Sequence, residues 1–301
     1  MKLLIVLTVL LVLCIIYVEK YHNTLLDKFK FIYDIKDSIP LTYEFIKVQK
    51  VKNALLNSEF ISTNEQIPKV IHKIYIDSTM TLNNIDPNIN FLFEKIKAFN
   101  PGYILKIWSG NDCRKYLKDN FPTQVLQCFD SLKPYAFKAD FVRYCILYNE
   151  GGWYSDLKED PLVSFNDINN NNYSFIGIVD LGIQYCLDNF CLQNAFFACI
   201  PKHPLLKNCM ETVINNCKNK FYGNYNLEPT GPRLFGKEFE KISTLPSNIL
   251  MGYFIHDIPG GSHYINNKKI MIHKCSNCIQ GNDWKHGNNW QKMWMEKNIY
   301  N

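Results

Sequence analysis

The chain has 301 residues, of which 47% are hydrophobic and 20% are charged. This length and composition allow one substantial core with short appendages, and they exclude a disordered polar chain. The formal net charge of +5 is spread along the sequence. Because a nucleic-acid binder would show a concentrated basic stripe, we expect no nucleic-acid partner.

The amino terminus predicts a membrane anchor. Lys2 precedes an apolar stretch from Leu3 to Val18, slightly shorter than the roughly 20 residues that span a bilayer as a helix. A cleaved signal peptide is the alternative, but the residues around Val18 offer no small-x-small cleavage site. We therefore expect a signal anchor at residues 1–18 and a single-pass protein, with its catalytic domain in the lumen of the Golgi or endoplasmic reticulum.

The cysteines and one sequon suit an oxidising, lumenal compartment. Three cysteine pairs are close enough in sequence to form disulfides, although spacing does not fix connectivity: Cys186/Cys191, Cys209/Cys217 and Cys275/Cys278. The last pair also resembles half of a zinc site, for which a second ligand pair is missing. Asn172 begins a glycosylation sequon that is usable only in the lumen.

Hydrophobic periodicity divides the rest of the chain into a stem and an α/β domain. Residues 19–64 read as helical, which predicts either a stem or a helix packed on the side of the domain. Beyond them, Pro68–Ile76 predicts a buried strand, and Tyr103–Trp108 predicts a second one. Between the strands lies an amphipathic helix with one predicted apolar face: Phe91, Phe93, Ile96 and Phe99. Strand, helix and strand in this order predict a parallel βαβ unit.

The stretch from Tyr135 to Asp156 carries the candidate chemistry. Asp140 and Arg143 are three residues apart on a predicted helix and are therefore neighbours. The helix ends at Gly151-Gly152, as a left-handed cap requires, and a short strand then leads into Asp156. Viewed alone, Asp140 and Arg143 are also compatible with an ordinary helical ion pair worth about 0.2–0.5 kcal/mol.

This stretch resembles the sugar-binding region containing a DXD motif of glycosyltransferase family 32, which the large glucosylating bacterial toxins share in outline. The family pattern reads approximately Ala-x-x-Ser-Asp-x-x-Arg-Tyr-x-x-Leu-x-x-x-Gly-Gly-x-Tyr-x-Asp-x-Asp. The residues in register are Ala136, Asp140, Arg143, Tyr144, Leu147, Gly151, Gly152, Tyr154 and Asp156. Other blocks that resemble the family are Ile67–Tyr75, Asn100–Trp108, Asn194–Pro204 and Thr230–Pro232.

The resemblance implies a GT-A fold, a Rossmann-like α/β fold for nucleotide-diphosphate sugars, here at residues 65–301. It further implies the transfer of a hexose, with retention of configuration, from GDP-mannose or a UDP-hexose to a glycan or glycolipid hydroxyl. By position, Asp140 and Arg143 would hold the donor sugar and diphosphate, and Asp156 would be the first acid of the metal motif. The further candidates are Lys158 and Asn194 for catalysis, and Tyr75, Ile76, Tyr144, Ser155 and Gln193 for binding the nucleotide sugar.

Lys158 stands where the family has its second aspartate, and this departure leaves the identity of the metal ligands undecided. A charged lysine cannot bind the expected Mn²⁺ or Mg²⁺, so Asp160, on the same strand face by period two, or Glu159 would replace the ligand. His273 is a further candidate ligand. Alternatively, Lys158 itself neutralises the diphosphate. In a third interpretation the site is degenerate, and the chain is a non-catalytic glycan- or nucleotide-binding protein on the same fold.

Overall fold

The computed structural model describes residues 50–273, except 52, 84 and 182–189, together with residues 287–301. The predicted anchor at residues 1–18, most of the predicted stem, and Cys186, Cys275 and Cys278 lie outside the described residues. None of the helices in the described ranges is long and apolar enough to cross a membrane.

A mixed sheet of nine strands forms the centre of the molecule. The described residues form these nine strands and two further strands, β1 and β8. In chain order, the strands are β1 (Glu59–Ile61), β2 (Val70–Tyr75), β3 (Ile104–Ser109), β4 (Gly152–Ser155), β5 (Asp160–Pro161), β6 (Phe175–Asp180), β7 (Phe196–Cys199), β8 (Thr244–Pro246), β9 (Ile249–Ile255), β10 (Ser262–Ile265) and β11 (Lys268–Ile272). The sheet order is β3-β2-β4-β7-β6-β9-β10-β11-β5, while β1 pairs with β8 in a separate ribbon. Strand β2 lies parallel to both β3 and β4, as the predicted βαβ unit requires. The predicted α/β fold class is therefore confirmed.

Helices pack around this sheet. They are α1 (Pro87–Phe99), α2 (Gly110–Asn120), α3 (Thr123–Ser131), α4 (Tyr135–Glu150), α5 (Phe165–Ile168), α6 (Pro204–Lys218), α7 (Pro232–Glu240) and α8 (Trp290–Met295). The two faces of the sheet support two hydrophobic clusters, because successive strand residues point to opposite faces. Trp153 and Phe196 belong to one cluster, whereas Tyr154 and Phe197 belong to the other.

Helix α1 has a different apolar face from the one predicted. Asp86 caps its first turn by accepting a hydrogen bond from the backbone of Asn88. The buried residues are Ile89, Leu92, Phe93 and Ile96, while the side chain of Phe91 is 64% exposed. The inclusion of Phe91 was wrong because residues at 89, 92, 93 and 96 follow the helical period and leave position 91 on the solvent side.

Helix α4 is buried almost all round through its middle and ends in two glycines. Residues 141–147 are all buried, so protein encloses this part of the helix on every side. Gly151 has φ 62° and ψ −155°, a region that only glycine adopts readily, so its positive φ agrees with the prediction but the left-handed helical cap does not. A Cβ on Gly152 would lie 2.7 Å from the carbonyl of Val70, which explains why β4 can pair closely with β2.

The part of the predicted stem that the structure describes packs on the domain. Residues 50–51 and 53–57 are helical, and Val51, Ala54 and Leu55 are buried in the main core. The following strand, β1, pairs in parallel with β8. Of the two interpretations of residues 19–64, a helix packed on the side of the domain therefore describes their carboxyl-terminal end.

One of the candidate disulfides is excluded by helix geometry. Cys209 and Cys217 are free and lie on the same helix, α6, separated by about 12 Å of helical rise. A disulfide requires Cα atoms within about 7 Å, so this pairing was wrong. Instead, the sulfur of Cys217 lies 2.7 Å from that of Cys128 on α3. Cys191 is disulfide-bonded.

Candidate active site

Side chains from three segments meet at one edge of the sheet. Tyr75 ends β2 and Ser155 ends the parallel strand β4. Strand β7 runs antiparallel to β4 and begins at Phe196, so Gln193 and Asn194 approach the same edge. In α/β sheets, ligands bind at the carboxyl ends of parallel strands. The candidate site therefore lies at this edge.

Asp140 projects from α4 and is held by three partners. Asn194 Nδ2 donates a hydrogen bond to Asp140 Oδ1 over 2.9 Å, and Thr230 Oγ1 donates to Oδ2 over 2.8 Å. Arg143 Nη2 lies 3.0 Å from Oδ1. Burial raises the pKa of Asp140 above its ordinary value, although Arg143 and Thr230 act in the opposite direction. The carboxylate is thus fixed in one orientation, with 14% of the side chain exposed.

Arg143 lies between two carboxylates and is 4% exposed. Its Nη1 lies 3.2 Å from Asp156 Oδ1 and donates to the carbonyl of Asn194 over 2.7 Å, while Cζ lies 4.3 Å from the centroid of the Tyr154 ring. Burial disfavours the charged guanidinium, but Tyr154, Asp156 and Asp140 outweigh burial and raise the pKa of Arg143. This arrangement excludes the ordinary solvent-exposed ion pair. We call Asp140, Arg143 and Asp156 the Arg143 network.

Asp156 follows β4 directly and is the most accessible member of the Arg143 network. Tyr154 Oη donates to Asp156 Oδ1 over 2.6 Å, and the backbone N–H of Asp156 donates to the carbonyl of Ala195. The side chain is 37% exposed. Within the described part of the chain, the carboxylate makes its contacts through Oδ1. An incoming ligand can therefore reach this carboxylate.

Lys73 is a residue of this site that the sequence analysis missed. It is fully buried in β2, and its Nζ donates to the carbonyl of Asp156 over 2.9 Å and lies 3.3 Å from Ser155 Oγ. Burial lowers the pKa of Lys73 to about 8, against the opposing effects of Glu159 and Asp156. A lysine inside a predicted buried strand must find polar partners, and that was the available signal. Lys158, in contrast, is half-buried in the turn between β4 and β5.

Tyr144 and Asn194 connect α4 to the segment before β7. Tyr144 Oη donates to the carbonyl of Thr230 over 3.0 Å and accepts from Asn194 Nδ2, also over 3.0 Å. Since Asn194 Nδ2 also donates to Asp140, Asn194 contacts the Arg143 network directly, and Tyr144 is linked to the network through Asn194. Tyr144 is fully buried, so its contacts are to protein groups.

The other predicted sugar-nucleotide contacts lie around the network. Gln193 Nε2 donates to Asp180 Oδ2 over 2.8 Å at the end of β6. Tyr75 is half-buried at the end of β2, and the side chain of Ile76 is buried in the main core. Ser155 is fully buried. Of these residues, Tyr75 has the side chain that solvent reaches most readily.

The three predicted metal ligands occupy different surroundings. Strand β4 ends before Asp156, and a turn precedes Asp160, so the period-two argument that placed both residues on one strand face was wrong. Asp160 forms an ion pair with Lys95 of α1. His273 follows β11, and its Nδ1 contacts Glu159 Oε1. The metal-binding role of Asp156, Asp160 and His273 stays a prediction.

His273 belongs to a buried group with Glu159 and His263, which we call the His–Glu cluster. Each residue contributes one potential ligand atom, and these atoms lie within 4.8 Å of one another. Burial opposes ionisation of Glu159, but His273 and His263 lower its pKa to about 2. Glu159 was predicted as a substitute ligand, whereas His263, which lies far away in the sequence in β10, was not.

The comparison with known proteins supports the family resemblance. Residues 27–175 match the glycosyltransferase sugar-binding region containing a DXD motif. The match covers 149 of the 301 residues, just under half of the chain. The matched region includes Asp140, Arg143, Asp156 and Lys158 and confirms the resemblance seen in the sequence.

Curated relatives include both a viral and a fungal protein. An uncharacterized glycosyltransferase of Acanthamoeba polyphaga mimivirus is 30% identical over 141 residues, which are 46% of this chain and 52% of the relative. Inositol phosphoceramide mannosyltransferase 2 of Schizosaccharomyces pombe is 30% identical over 125 residues, 42% of this chain and 33% of the relative. The alignments thus span about half and about a third of these relatives. Among solved structures, PaToxG glycosyltransferase has a TM-score of 0.43 at 17% identity, covering 65% of this chain and 76% of PaToxG.

Proposed function

We propose that the chain is a retaining glycosyltransferase with a GT-A fold, which moves a hexose from GDP-mannose or a UDP-hexose to a glycan or glycolipid hydroxyl. The family match and the relatives named as glycosyltransferases support sugar transfer. The observation that carries the proposal is the buried Arg143 between Asp140 and Asp156 at the carboxyl ends of β2 and β4.

The exposed fractions of the three side chains in the Arg143 network suggest a different role for Arg143 than for the two carboxylates. Arg143 is almost fully enclosed and has protein partners, so it serves to orient and balance the two carboxylates. Asp140 and Asp156 are the more exposed members. We expect these carboxylates to accept hydrogen bonds from donor hydroxyls or to hold a metal ion, both of which need a fixed orientation.

Charge on the departing diphosphate must be neutralised when the sugar–phosphate bond breaks, because the sugar becomes oxocarbenium-like and the diphosphate leaves as an anion. Asp156 fits a divalent cation, since its accessible carboxylate is the type of ligand that Mn²⁺ and Mg²⁺ prefer. A bound ion would supply positive charge to the leaving group. Lys158, in the next turn, offers a protein cation for the same purpose.

The relatives favour one donor and one type of acceptor among the candidates. Inositol phosphoceramide mannosyltransferases 1 and 2 of Schizosaccharomyces pombe are both similar to this chain, the first at 26% identity over 235 residues. We therefore place GDP-mannose and a sphingolipid hydroxyl first among the substrates to test. The predicted anchor at residues 1–18 would hold the site beside a lipid acceptor in a Golgi or endoplasmic reticulum membrane.

The test is a calorimetric titration of the full-length protein in detergent with UDP and GDP, each with and without Mn²⁺. We expect one nucleotide to bind, with affinity that increases in Mn²⁺ and falls at least about tenfold in Asp156→Ala, a difference of about 1.4 kcal/mol. Asp167→Ala, at an exposed carboxylate outside the site, is the matched control and should bind as the unmodified protein does.

The titration also separates the alternatives. Nucleotide binding that does not depend on metal would favour Lys158 as the group that neutralises the diphosphate. Binding of one nucleotide without transfer of its sugar to any glycan or lipid acceptor would favour the non-catalytic binding protein. Absence of binding by both nucleotides under all conditions would reject the glycosyltransferase proposal.

A further inference from the structure

The His–Glu cluster joins three segments that are distant in sequence. Glu159 lies in the turn between β4 and β5, His263 in β10, and His273 directly after β11. Glu159 and His263 are fully buried, and His273 is 8% exposed. Glu159 Oε1 contacts His273 Nδ1, and Glu159 Oε2 lies 3.1 Å from His263 Nε2. One carboxylate therefore faces two imidazoles inside the protein.

The polar atoms of this cluster are incompletely satisfied by protein groups. Among the residues that the structure describes, Glu159 Oε2 and both ring nitrogens of His263 are buried without a hydrogen-bond partner, although Oε2 lies 3.1 Å from His263 Nε2. Leaving a buried polar atom without a partner costs roughly 1–3 kcal/mol. The aromatic ring of Phe254 packs edge-on against His273 and tilted against His263, so apolar surface borders both imidazoles. A bound ligand that contacts Glu159 Oε2 and a ring nitrogen of His263 would satisfy these buried atoms.

We propose that Glu159, His263 and His273 bind a divalent first-row transition-metal ion, with Zn²⁺ as the preferred ion. Two imidazole nitrogens and one carboxylate are a ligand set that Zn²⁺ uses in proteins, at about 2.0–2.2 Å from each atom. Such bonds place the ligand atoms within about 4.4 Å of one another, and one atom from each of the three residues lies within 4.8 Å of the other two. Ca²⁺ and Mg²⁺ are disfavoured because they prefer oxygen ligands.

This site differs from a metal site at Asp156 in the source of its ligands. All three ligands are protein side chains, so the ion binds without a nucleotide. It ties the turn that carries Asp156 and Lys158 to the hairpin of β10 and β11, which are neighbours in the sheet. The ion therefore positions this turn, and the inference does not depend on the proposed glycosyltransferase activity.

The test measures metal content in the absence of nucleotide. Full-length protein, purified in detergent without a metal-affinity step, is analysed by mass spectrometry for bound metals before and after dialysis against a chelator, and again after addition of Zn²⁺. We expect one Zn²⁺ per chain that the chelator removes and that added Zn²⁺ restores, with a rise in the thermal unfolding midpoint. Absence of stoichiometric Zn²⁺ before and after its addition would overturn the proposal.

Variants identify which residues hold the ion. Glu159→Gln and His263→Asn should each lower Zn²⁺ affinity more than about 100-fold, because removal of a ligand exceeds the 10–100-fold effect of its outer partners. His256→Asn, at an exposed histidine near the end of β9, should retain the wild-type affinity. The double variant Cys275→Ser/Cys278→Ser should also retain it. Loss of zinc from the cysteine variant would assign the ion to the thiols and reject the His–Glu cluster.

Cobalt keeps the proposal testable if a variant does not fold. Co²⁺ added to metal-free, unmodified protein reports its ligands by visible absorption. We expect bands of a nitrogen- and oxygen-ligated ion without the strong near-ultraviolet charge-transfer band that thiolates produce. A thiolate band, or a spectrum identical to that of free Co²⁺, would contradict the proposal.

Discussion

The Arg143 network and the His–Glu cluster flank the same turn between β4 and β5, but their charges are balanced differently. In the first, a guanidinium lies between two carboxylates, and hydrogen bonds from neighbouring side chains fix both acids. In the second, a carboxylate faces two imidazoles, and three buried atoms lack a hydrogen-bond partner in the part of the chain that the structure describes. In the first group, protein atoms supply the partners of the charged side chains, and the carboxylate of Asp156 stays accessible to a ligand. In the second group, the proposed metal ion supplies the missing partner.

Removal of Arg143 should have the largest effect, because it leaves Asp140 and Asp156 as uncompensated charges. For Arg143→Ala we expect the free energy of unfolding to fall by about 3–5 kcal/mol, the usual result of breaking a buried ion pair. Urea denaturation measures this change. Nucleotide titration on the folded fraction should show no binding.

Arg114 offers the matched comparison for this prediction. It forms an ion pair with Asp130 at 2.8 Å, with both side chains well exposed. Because exposed pairs contribute about 0–1 kcal/mol, Arg114→Ala should have little effect on stability. Equal losses in the two variants would show that Arg143 does not act as a buried, balancing charge.

The difference between the groups also explains how far the sequence could be read. Asp140, Arg143 and Asp156 lie within 17 consecutive positions of one helix, one turn and one strand. Local periodicity and the family pattern therefore predicted both their elements and their proximity. The strands β2 and β3 were predictable for a related reason, since each is a short segment rich in β-branched and aromatic residues.

The His–Glu cluster could not be predicted in this way. Glu159 meets His263 and His273 because β5 crosses the sheet and pairs with β11, so that Asp160 lies opposite Ile272. No period within one segment reveals such a pairing between distant strands. Lys73 was missed for a related reason, because its partners come from β4, 82 residues later in the chain. Long-range strand order, and not local propensity, decides these contacts.

His203 tests what a buried histidine does without a carboxylate beside it. It is fully buried against Phe175, and burial lowers its pKa to about 3. Within the described ranges, neither of its ring nitrogens has a hydrogen-bond partner. Because the unfolded chain binds a proton below about pH 6.5 and the folded chain does not, stability must fall as the pH falls from 6.5 towards 3. The contribution of one such group is about 1.4 kcal/mol per pH unit.

Urea denaturation between pH 4.5 and 6.5 measures this contribution. His203→Leu should flatten the dependence of stability on pH by about one proton, which amounts to roughly 2–3 kcal/mol over this interval. Leu205→Ala, at a buried neighbour in α6 that does not titrate, should lower stability equally at every pH. If His203→Leu keeps the full slope of the unmodified protein, His203 is not the group that takes up the proton.

Thr230 should have the smallest effect, because it is one of several partners of the Arg143 network. Thr230→Val keeps the shape of the side chain but removes the hydroxyl that donates to Asp140 Oδ2. Since Asp140 keeps its contacts with Asn194 and Arg143, we expect a loss of about 1–2 kcal/mol in stability. We also expect nucleotide binding to weaken about tenfold, because a less fixed Asp140 must be ordered when the ligand arrives.

Thr244→Val, in β8, is the control and should leave binding unchanged. If Thr230→Val loses stability but binds nucleotide normally, Asp140 supports the fold and does not orient the donor.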